Sequence, residues 1–187
     1  GDPIYALVRG SAVNNDGRSS ELLVAPGQET QMAVFAEAYR AAGVSPAQLG
    51  YLEAHGTGTK VGDPVEIKAL GSMLAQYRSS DNPCPIGSVK TNIGHTEAAS
   101  GMAGLIKAAL SLKNRVIPAS LHLRELNPTI PWAELPLEIP QTMRPWPVEN
   151  KPGIAGINSF GVTGTNAHIV LEEMVWPQAE EAETAVS

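Results

Sequence analysis

The sequence predicts an α/β fold, because short β-forming runs alternate along the chain with segments of helical spacing. Residues 4–9 (IYALVR) and 167–172 (AHIVLE) are runs of the first kind. Residues 28–42 repeat apolar side chains at helical spacing, and residues 97–113 form a longer helix candidate rich in small residues. With 187 residues, the chain is long enough to bury a substantial core.

The elements of the first half follow in order. They are a strand at 4–9, a turn at 14–17, a helix at 28–42, a short helical turn at 45–46, a strand at 51–54 and a helix from about 64 to 77. Gly43 is a C-terminal stop for the first helix. Asp63, Pro64 and Glu66 supply the N-cap, the first-turn proline and the acid of a capping box for the second helix.

The second half continues the alternation. Its candidates are a strand at 85–89, a helix at 97–113, and strands at 116–120, 137–139, 153–160 and 167–172. That helix is apolar around most of its circumference, which predicts burial, and Gly101 and Gly104 predict a close backbone approach. A proline-rich surface stretch is predicted at 127–147. We expect one domain at 1–173 and an acidic linker or tail at 174–187.

Composition excludes several classes of function. A formal net charge of −6 with no basic stripe argues against nucleic acid as a partner. No apolar run reaches the ~20 residues of a membrane span and no secretory signal pattern is present, so we expect a cytoplasmic protein without membrane contact. The single cysteine, Cys84, excludes a disulfide framework, and the histidine spacing predicts no metal site. Proline follows Cys84, which keeps it from a helix N-terminus, so we expect an unactivated thiol.

Two histidines indicate a site. His55 and His95 each follow a strand candidate and precede a helix, and residues at such strand ends converge on one crevice. Lys90 and Glu97 flank His95, and a Lys-Glu pair there holds the loop or tunes the imidazole. A simple ion bridge between Lys90 and Glu97 is equally compatible with the spacing.

Two glycine-broken loops accompany the histidines. In the HGTGT loop, Thr57 and Thr59 point the same way if the backbone is extended, which suits a linear polar ligand. The glycines of the same loop leave a dinucleotide-binding turn open, although their spacing is GxGxxxG instead of GxGxxG. Residues 158–168 form the second loop, which either brings backbone N–H groups to an oxyanion or is a plain hairpin loop. No GxSxG occurs, which removes the nucleophile-elbow signature of hydrolases.

Three segments, EAHGTGTKVGDP, GSVKTNIGHTEAASGMAGLIKA and NSFGVTGTNAHIVLEE, together resemble the β-ketoacyl synthase family. The likeness is to ketosynthase domains of modular polyketide synthases and extends from about residue 4 to residue 173. It implies a thiolase-like fold, a layered α-β-α-β-α sandwich of related halves that is usually a homodimer. This chain would be the second half together with the last strand of the first.

The resemblance also implies roles for individual residues. His55 and His95 correspond to the catalytic histidines, and Lys90 to the lysine that organises the site electrostatically. Glu97 corresponds to the partner of Lys90, and Asn92 supports the site. The family's phosphopantetheine contacts correspond to Thr57 and Thr59. Its oxyanion and gate loop corresponds to Phe160, Gly161 and Val162. Val162 stands where many members of the family have phenylalanine.

The activity implied by the resemblance is that of an acyltransferase. A cysteine-bound acyl chain undergoes decarboxylative Claisen condensation with a malonyl-type extender on acyl carrier protein. Substrates travel on the phosphopantetheine of that carrier, and the domain itself binds no cofactor. The family's nucleophile lies in a DTACSS-type motif that this sequence lacks, and Cys84 does not match it. We therefore expect a cysteine-bearing N-terminal half as a partner, with a non-catalytic scaffold or carrier-binding half as the alternative.

Overall fold

The computed structural model describes residues 2–17, 26–147 and 150–175. Three single-turn 3-10 helices occur in these ranges, at Pro46–Gln48, Glu97–Ala99 and Trp132–Glu134. The strands and α-helices are, in chain order, β1 (Ala6–Asn15), α1 (Gln28–Ala42), β2 (Tyr51–Glu53), α2 (Gly62–Leu74), β3 (Cys84–Gly87), α3 (Lys90–Ile93), α4 (Ser100–Asn114), β4 (Val116–Ile117), β5 (Leu137–Glu138), β6 (Arg144–Pro145), β7 (Ile154–Phe160) and β8 (Thr165–Glu173).

A mixed sheet of six strands is the centre of the fold, in the order β1-β8-β7-β2-β3-β5. Strand β2 pairs in parallel with both β7 and β3, and β3 pairs in parallel with β5. Strand β8 runs antiparallel to both β7 and β1. The parallel strands therefore end at one edge of the sheet, where ligands of α/β proteins commonly bind.

Helices cover both faces of this sheet. Because successive side chains of a strand point to opposite faces, neighbouring residues join different cores. Leu52 and Ile154 pack with α1 and α2, whereas Tyr51 and Ala155 pack with Ala108 and other residues of α4. The described part of the chain is thus an α-β-α arrangement. None of its helices is long and apolar enough to cross a bilayer.

Helix α1 has the predicted bounds at both ends, and Gly43 ends it with a left-handed φ of 63°. Helix α2 departs from the prediction, because it begins at Gly62 without a side-chain cap. The capping box was wrong. Asp63 and Glu66 accept hydrogen bonds from the backbone of the HGTGT loop instead, so a tertiary contact replaces the local one.

Helix α4 is only partly buried, so the prediction that it is buried all round was wrong. Its sheet-facing side consists of small and apolar residues such as Gly104, Ala108 and Leu112. The opposite side exposes Met102, Ile106 and Leu110 by 59%, 52% and 44%. We call these three residues the α4 stripe. Close approach at the glycines is observed, since a Cβ on Gly101 would lie 2.8 Å from Ser159 Oγ.

Several strand boundaries also differ from the predictions. Strand β1 extends to Asn15, because Asn14 and Asn15 pair with β8, so the predicted turn is shorter. Strand β7 ends at residue 160 as predicted, whereas β8 begins at residue 165 instead of 167, so the loop predicted at 158–168 is reduced to residues 161–164. The stretch at 127–147 contains β5 and β6 and buries Ile130 and Trp146, so it is not merely surface. Strand β8 ends at Glu173, and residues 176–187 of the predicted tail lie outside the described ranges.

Candidate active site

The predicted site residues meet at the ends of the parallel strands. His55 follows β2, the turn that carries Lys90 follows β3, and Phe160 ends β7. The rings of His55 and His95 contact edge to face, with centroids 5.5 Å apart. The ring of His55 also lies 5.6 Å from that of Phe160. Three separate segments of the chain therefore supply one cluster of aromatic and titratable groups.

His55 is half-buried in this cluster. Burial, followed by the charges of Lys90 and His95, lowers the pKa of His55 from 6.5 to about 4. The imidazole is therefore neutral at pH 7. Its Nδ1 is buried and has no hydrogen-bond partner among the described residues. A neutral ring with an N–H can donate a hydrogen bond to a substrate oxygen without transferring a full charge.

His95 is exposed, and a single backbone contact orients its ring. The N–H of Glu97 donates to Nδ1 of His95 at 2.9 Å. Because an accepting Nδ1 carries no proton, the ring proton of His95 lies on Nε2. Glu97 adopts a left-handed φ of 48° to make this contact, a conformation that glutamate seldom takes.

Lys90 lies at the start of α3 and is half-buried. Burial lowers the pKa of Lys90, and the carboxylates of Glu66, Glu53 and Asp63 oppose that shift. The predicted ion pair between Lys90 and Glu97 was wrong, since the ion pairs of the described residues do not include it. Glu97 contributes its backbone N–H to His95, and its side chain is exposed.

Carboxylates of the chain itself occupy the backbone donors of the HGTGT loop. The N–H groups of His55 and Gly56 donate to the Glu66 carboxylate at 2.7 and 2.9 Å. The N–H of Gly58 donates to Asp63 at 3.0 Å. A dinucleotide turn needs these N–H groups free for a pyrophosphate, and two carboxylates would repel one. The structure therefore argues against the dinucleotide alternative.

The remaining predicted residues are half-buried or exposed. The hydroxyl oxygens of Thr57 and Thr59 are 3.3 Å apart on the exposed side of their loop. Asn92 is exposed on α3 and accepts a hydrogen bond from Thr91 Oγ1 at 3.3 Å. Val162 is 83% exposed at the tip of the 161–164 loop. The N–H of Gly161 is already bound to Thr165 O at 2.7 Å, so it is not available to a ligand.

A buried polar relay behind His55 was not predicted from the sequence. Asn158 Nδ2 donates to Glu66 Oε1 at 2.8 Å, and Asn158 Oδ1 lies 2.6 Å from Nδ1 of His168. Glu66, Asn158 and His168 are all buried. Burial lowers the pKa of His168 to about 3, so the ring is neutral and donates through Nδ1. Asn158 and His168 are opposite each other in register, a signal that becomes visible only once the β7-β8 pairing is known.

Cys84 has the structural role predicted for it. It lies in β3 with no exposed surface. Its thiol contacts Pro85 O at 3.7 Å, and burial raises its pKa to about 12. A thiol in this state forms almost no thiolate at pH 7 and is inaccessible to substrate. Among the described residues, no three His, Cys, Asp or Glu side chains form a group that could hold a metal ion.

Comparisons with known proteins identify the family of the chain. Residues 5–124 match the family model described as "Beta-ketoacyl synthase, C-terminal domain", and residues 127–186 match "Ketoacyl-synthetase C-terminal extension". One subunit of the phenolphthiocerol/phthiocerol polyketide synthase of Mycobacterium tuberculosis is 50% identical over 92% of this chain. Erythronolide synthase EryA3 of Saccharopolyspora erythraea is 46% identical over 99% of this chain.

A solved structure extends the likeness to the fold. Ketosynthase twelve of the bacillaene polyketide synthase from Bacillus amyloliquefaciens is 39% identical, with a TM-score of 0.89 over 94% of this chain. The chain spans 31% of that ketosynthase, and 9% and 6% of the two synthases. The likeness confirms the predicted thiolase-like class. The chain belongs to the β-ketoacyl synthase family, as the C-terminal part of a polyketide synthase ketosynthase domain.

Proposed function

We propose that this chain supplies the electrostatic half of an active site for decarboxylative condensation in polyketide biosynthesis. The observation that carries the proposal is the histidine pair, with ring centroids 5.5 Å apart beside Lys90. The neutral His55 and the Nε2–H of His95 offer two hydrogen-bond donors, and Lys90 offers a positive charge. Donors fixed in place before reaction are what an enolate or oxyanion requires.

The chemistry follows from these donors. A malonyl thioester loses CO2, and the electron pair of the broken C–C bond forms an enolate on the thioester. His55 and His95 donate to the enolate oxygen, which lowers the barrier to its formation. The enolate carbon then attacks the carbonyl of a cysteine-bound acyl chain. A new C–C bond forms, the C–S bond breaks, and the cysteine leaves as a thiolate.

The substrates in this proposal are carried on the phosphopantetheine of an acyl carrier protein, and the domain holds no cofactor of its own. Thr57 and Thr59 support this assignment, because their hydroxyls lie 3.3 Å apart on the exposed side of the loop that follows His55. Paired hydroxyls suit the amide groups of a linear arm. We propose that Phe160 and Val162 line the acyl channel beside them.

The nucleophile comes from another segment in this proposal, because Cys84 is buried and its pKa is raised to about 12. The partner is a cysteine-bearing N-terminal half of the ketosynthase, and the complete domain forms a homodimer. The α4 stripe supports this partner, since it exposes apolar side chains that a further layer of structure would cover.

The test is reconstitution with a cysteine-bearing N-terminal half and malonyl-loaded carrier protein. We expect CO2 release and condensation, and we expect His95→Ala to lower decarboxylation by about 10²- to 10³-fold through loss of a donor. His122→Asn is the matched control, because His122 is an exposed histidine with a left-handed φ of 62° that asparagine tolerates. Decarboxylation retained in His95→Ala would contradict the assignment.

A second candidate is a scaffold half that binds the carrier protein without catalysis. The buried, unactivated Cys84 favours it for this chain. The same reconstitution separates the candidates. Carrier binding without any release of CO2 in the complete enzyme would establish the scaffold, whereas activity that depends on His95 would exclude it.

A further inference from the structure

A buried carboxylate connects the three elements that carry the proposed catalytic groups. Glu53, the last residue of β2, lies two residues before His55 and is only 1% exposed. Its carboxylate bonds to Tyr51, Val89 and Lys107, whereas Glu66 and Asp63 support the HGTGT loop, so that support gives Glu53 no role. A carboxylate so deeply buried requires several donors, and each of them comes from a functionally important element.

The first donor belongs to the Lys90 turn. Val89 N–H donates to Glu53 Oε1 at 2.5 Å, immediately before α3 begins at Lys90. A backbone contact at the strand end runs beside it, since Ala54 N–H donates to Gly87 O at 2.7 Å. These two hydrogen bonds, at Glu53 and at the next residue, thus hold the end of β2 against the segment that leads into the Lys90 turn.

The second connection is to α4, the helix that follows His95. Lys107 Nζ donates to Glu53 Oε2 at 2.8 Å and to Tyr51 Oη at 2.7 Å, and Tyr51 in turn donates to the same Oε2 at 2.7 Å. Gly104 makes room for the carboxylate, because a Cβ there would lie 3.1 Å from Glu53 Cγ. One side chain therefore joins the strand of His55, the turn of Lys90 and the helix behind His95.

We propose that Glu53 is a positioning residue, whose carboxylate fixes the Val89–Lys90 turn and α4 against the end of β2 and so sets Lys90 relative to the histidine pair. The inference rests on the proposed function. Glu53 contacts no reacting atom. It acts on the Lys90 turn through the backbone of Val89, and its negative charge also opposes the lowering of the pKa of Lys90 by burial. Lys107 is the counter-ion that allows the carboxylate to be buried, with 12% of its own side chain exposed.

Two double variants distinguish the role of Glu53 as a hydrogen-bond acceptor from its role as a negative charge. Both Glu53→Leu/Lys107→Met and Glu53→Gln/Lys107→Met remove the ion pair, so neither leaves an unpaired buried charge. Only glutamine keeps an oxygen for Val89 N–H. In the reconstituted enzyme we expect the leucine variant to lower kcat by about 30- to 100-fold with little change in KM, because a small displacement of a catalytic group is enough. The glutamine variant should recover at least tenfold of that loss.

Each outcome decides the question. Equal kcat in the two double variants, at equal Tm, would overturn the inference. If the leucine variant does not fold, Glu53→Asp replaces it, since aspartate keeps the charge beside Lys107 but withdraws the carboxylate from Val89 by about 1.5 Å. Wild-type kcat in a folded Glu53→Asp protein would equally overturn the inference.

Amide exchange distinguishes this inference from the proposed function. Wild-type enzyme that releases no CO2 would count against the proposed function alone. The Val89 amide then still reports on Glu53, since slow exchange in the wild type and in the glutamine variant, with faster exchange in the leucine or aspartate variant, is expected. Identical exchange in all of them would show that Glu53 does not hold the turn.

Discussion

The two histidines of the site are held in opposite ways. His55 follows a buried strand, and the Glu66 carboxylate binds its backbone N–H and that of Gly56. His95 lies on an exposed turn between α3 and α4, where the N–H of Glu97 orients its ring. The first histidine is thus positioned from the core, and the second by its own local backbone.

This difference shows where the chain organises its half of the site. The relay behind His55 runs from Glu66 of α2 to Asn158 of β7 and His168 of β8, so displacing the loop would leave several buried polar groups unpaired. The ring of His95 is exposed, and the residue that orients it has a left-handed φ of 48°. Rigidity at His55 is therefore a property of this chain's core, whereas rigidity at His95 depends on a few backbone angles.

The largest expected effect is that of Glu66→Ala, which removes the buried support of His55. This change leaves the N–H groups of His55 and Gly56 and the amide of Asn158 without their acceptor. Several unpaired buried donors should lower the free energy of unfolding by about 3 kcal/mol or more, measured by urea denaturation. Glu97→Ala is the control on the turn side and should change it by about 0.5 kcal/mol or less, because that carboxylate is exposed. Similar losses of stability in both variants would mean that the two histidines are not held in different ways.

A smaller effect, with a pH signature, is expected for His168→Phe. The wild-type ring is neutral when folded, with a pKa lowered from 6.5 to about 3, so the unfolded chain binds the proton first. Stability therefore falls as the pH drops below 6.5, by about 1.4 kcal/mol per unit from this group. Phenylalanine removes that slope, although at pH 7 it loses the bond to Asn158, worth about 1 kcal/mol.

Urea midpoints of the wild type and His168→Phe between pH 7 and pH 4 measure the difference. The two stability curves should cross near about pH 6, with the wild type the more stable above and the variant below, because only the wild type takes up a proton at this ring on unfolding. His122→Asn controls for removal of an exposed histidine. Parallel curves would mean that folding does not lower the pKa of His168.

The same contrast explains what the sequence could and could not predict. Helix α1 was predicted with both of its ends because periodicity and Gly43 are local signals. The capping box at α2 failed because Asp63 and Glu66 have partners in a loop that lies outside the helix. The burial of α4 was overestimated, since a composition of small and apolar residues does not show which side lacks a neighbour.

For the site, the strand ends and glycine loops sufficed to bring His55 and His95 together, because parallel strands share an edge. The supporting residues were not predictable in the same way. Glu66, Asn158 and His168 are joined across 10 to 92 positions in sequence, and their contacts depend on strand register and helix placement. Proximity in sequence predicts an ion pair between Lys90 and Glu97, whereas in the structure the backbone N–H of Glu97 orients His95 and the two side chains do not pair.

The smallest expected effect concerns that turn, through Glu97→Ala in the reconstituted enzyme. Alanine keeps the backbone N–H that orients His95, and the carboxylate has no contact with Lys90, so condensation should stay within about threefold of wild type. Lys90→Ala in parallel should lose at least about tenfold, because a positioned charge is removed. A loss in Glu97→Ala as large as that in Lys90→Ala would mean that the two side chains pair in the complete enzyme. His95 would then be held by the charge of its neighbours as well as by its backbone.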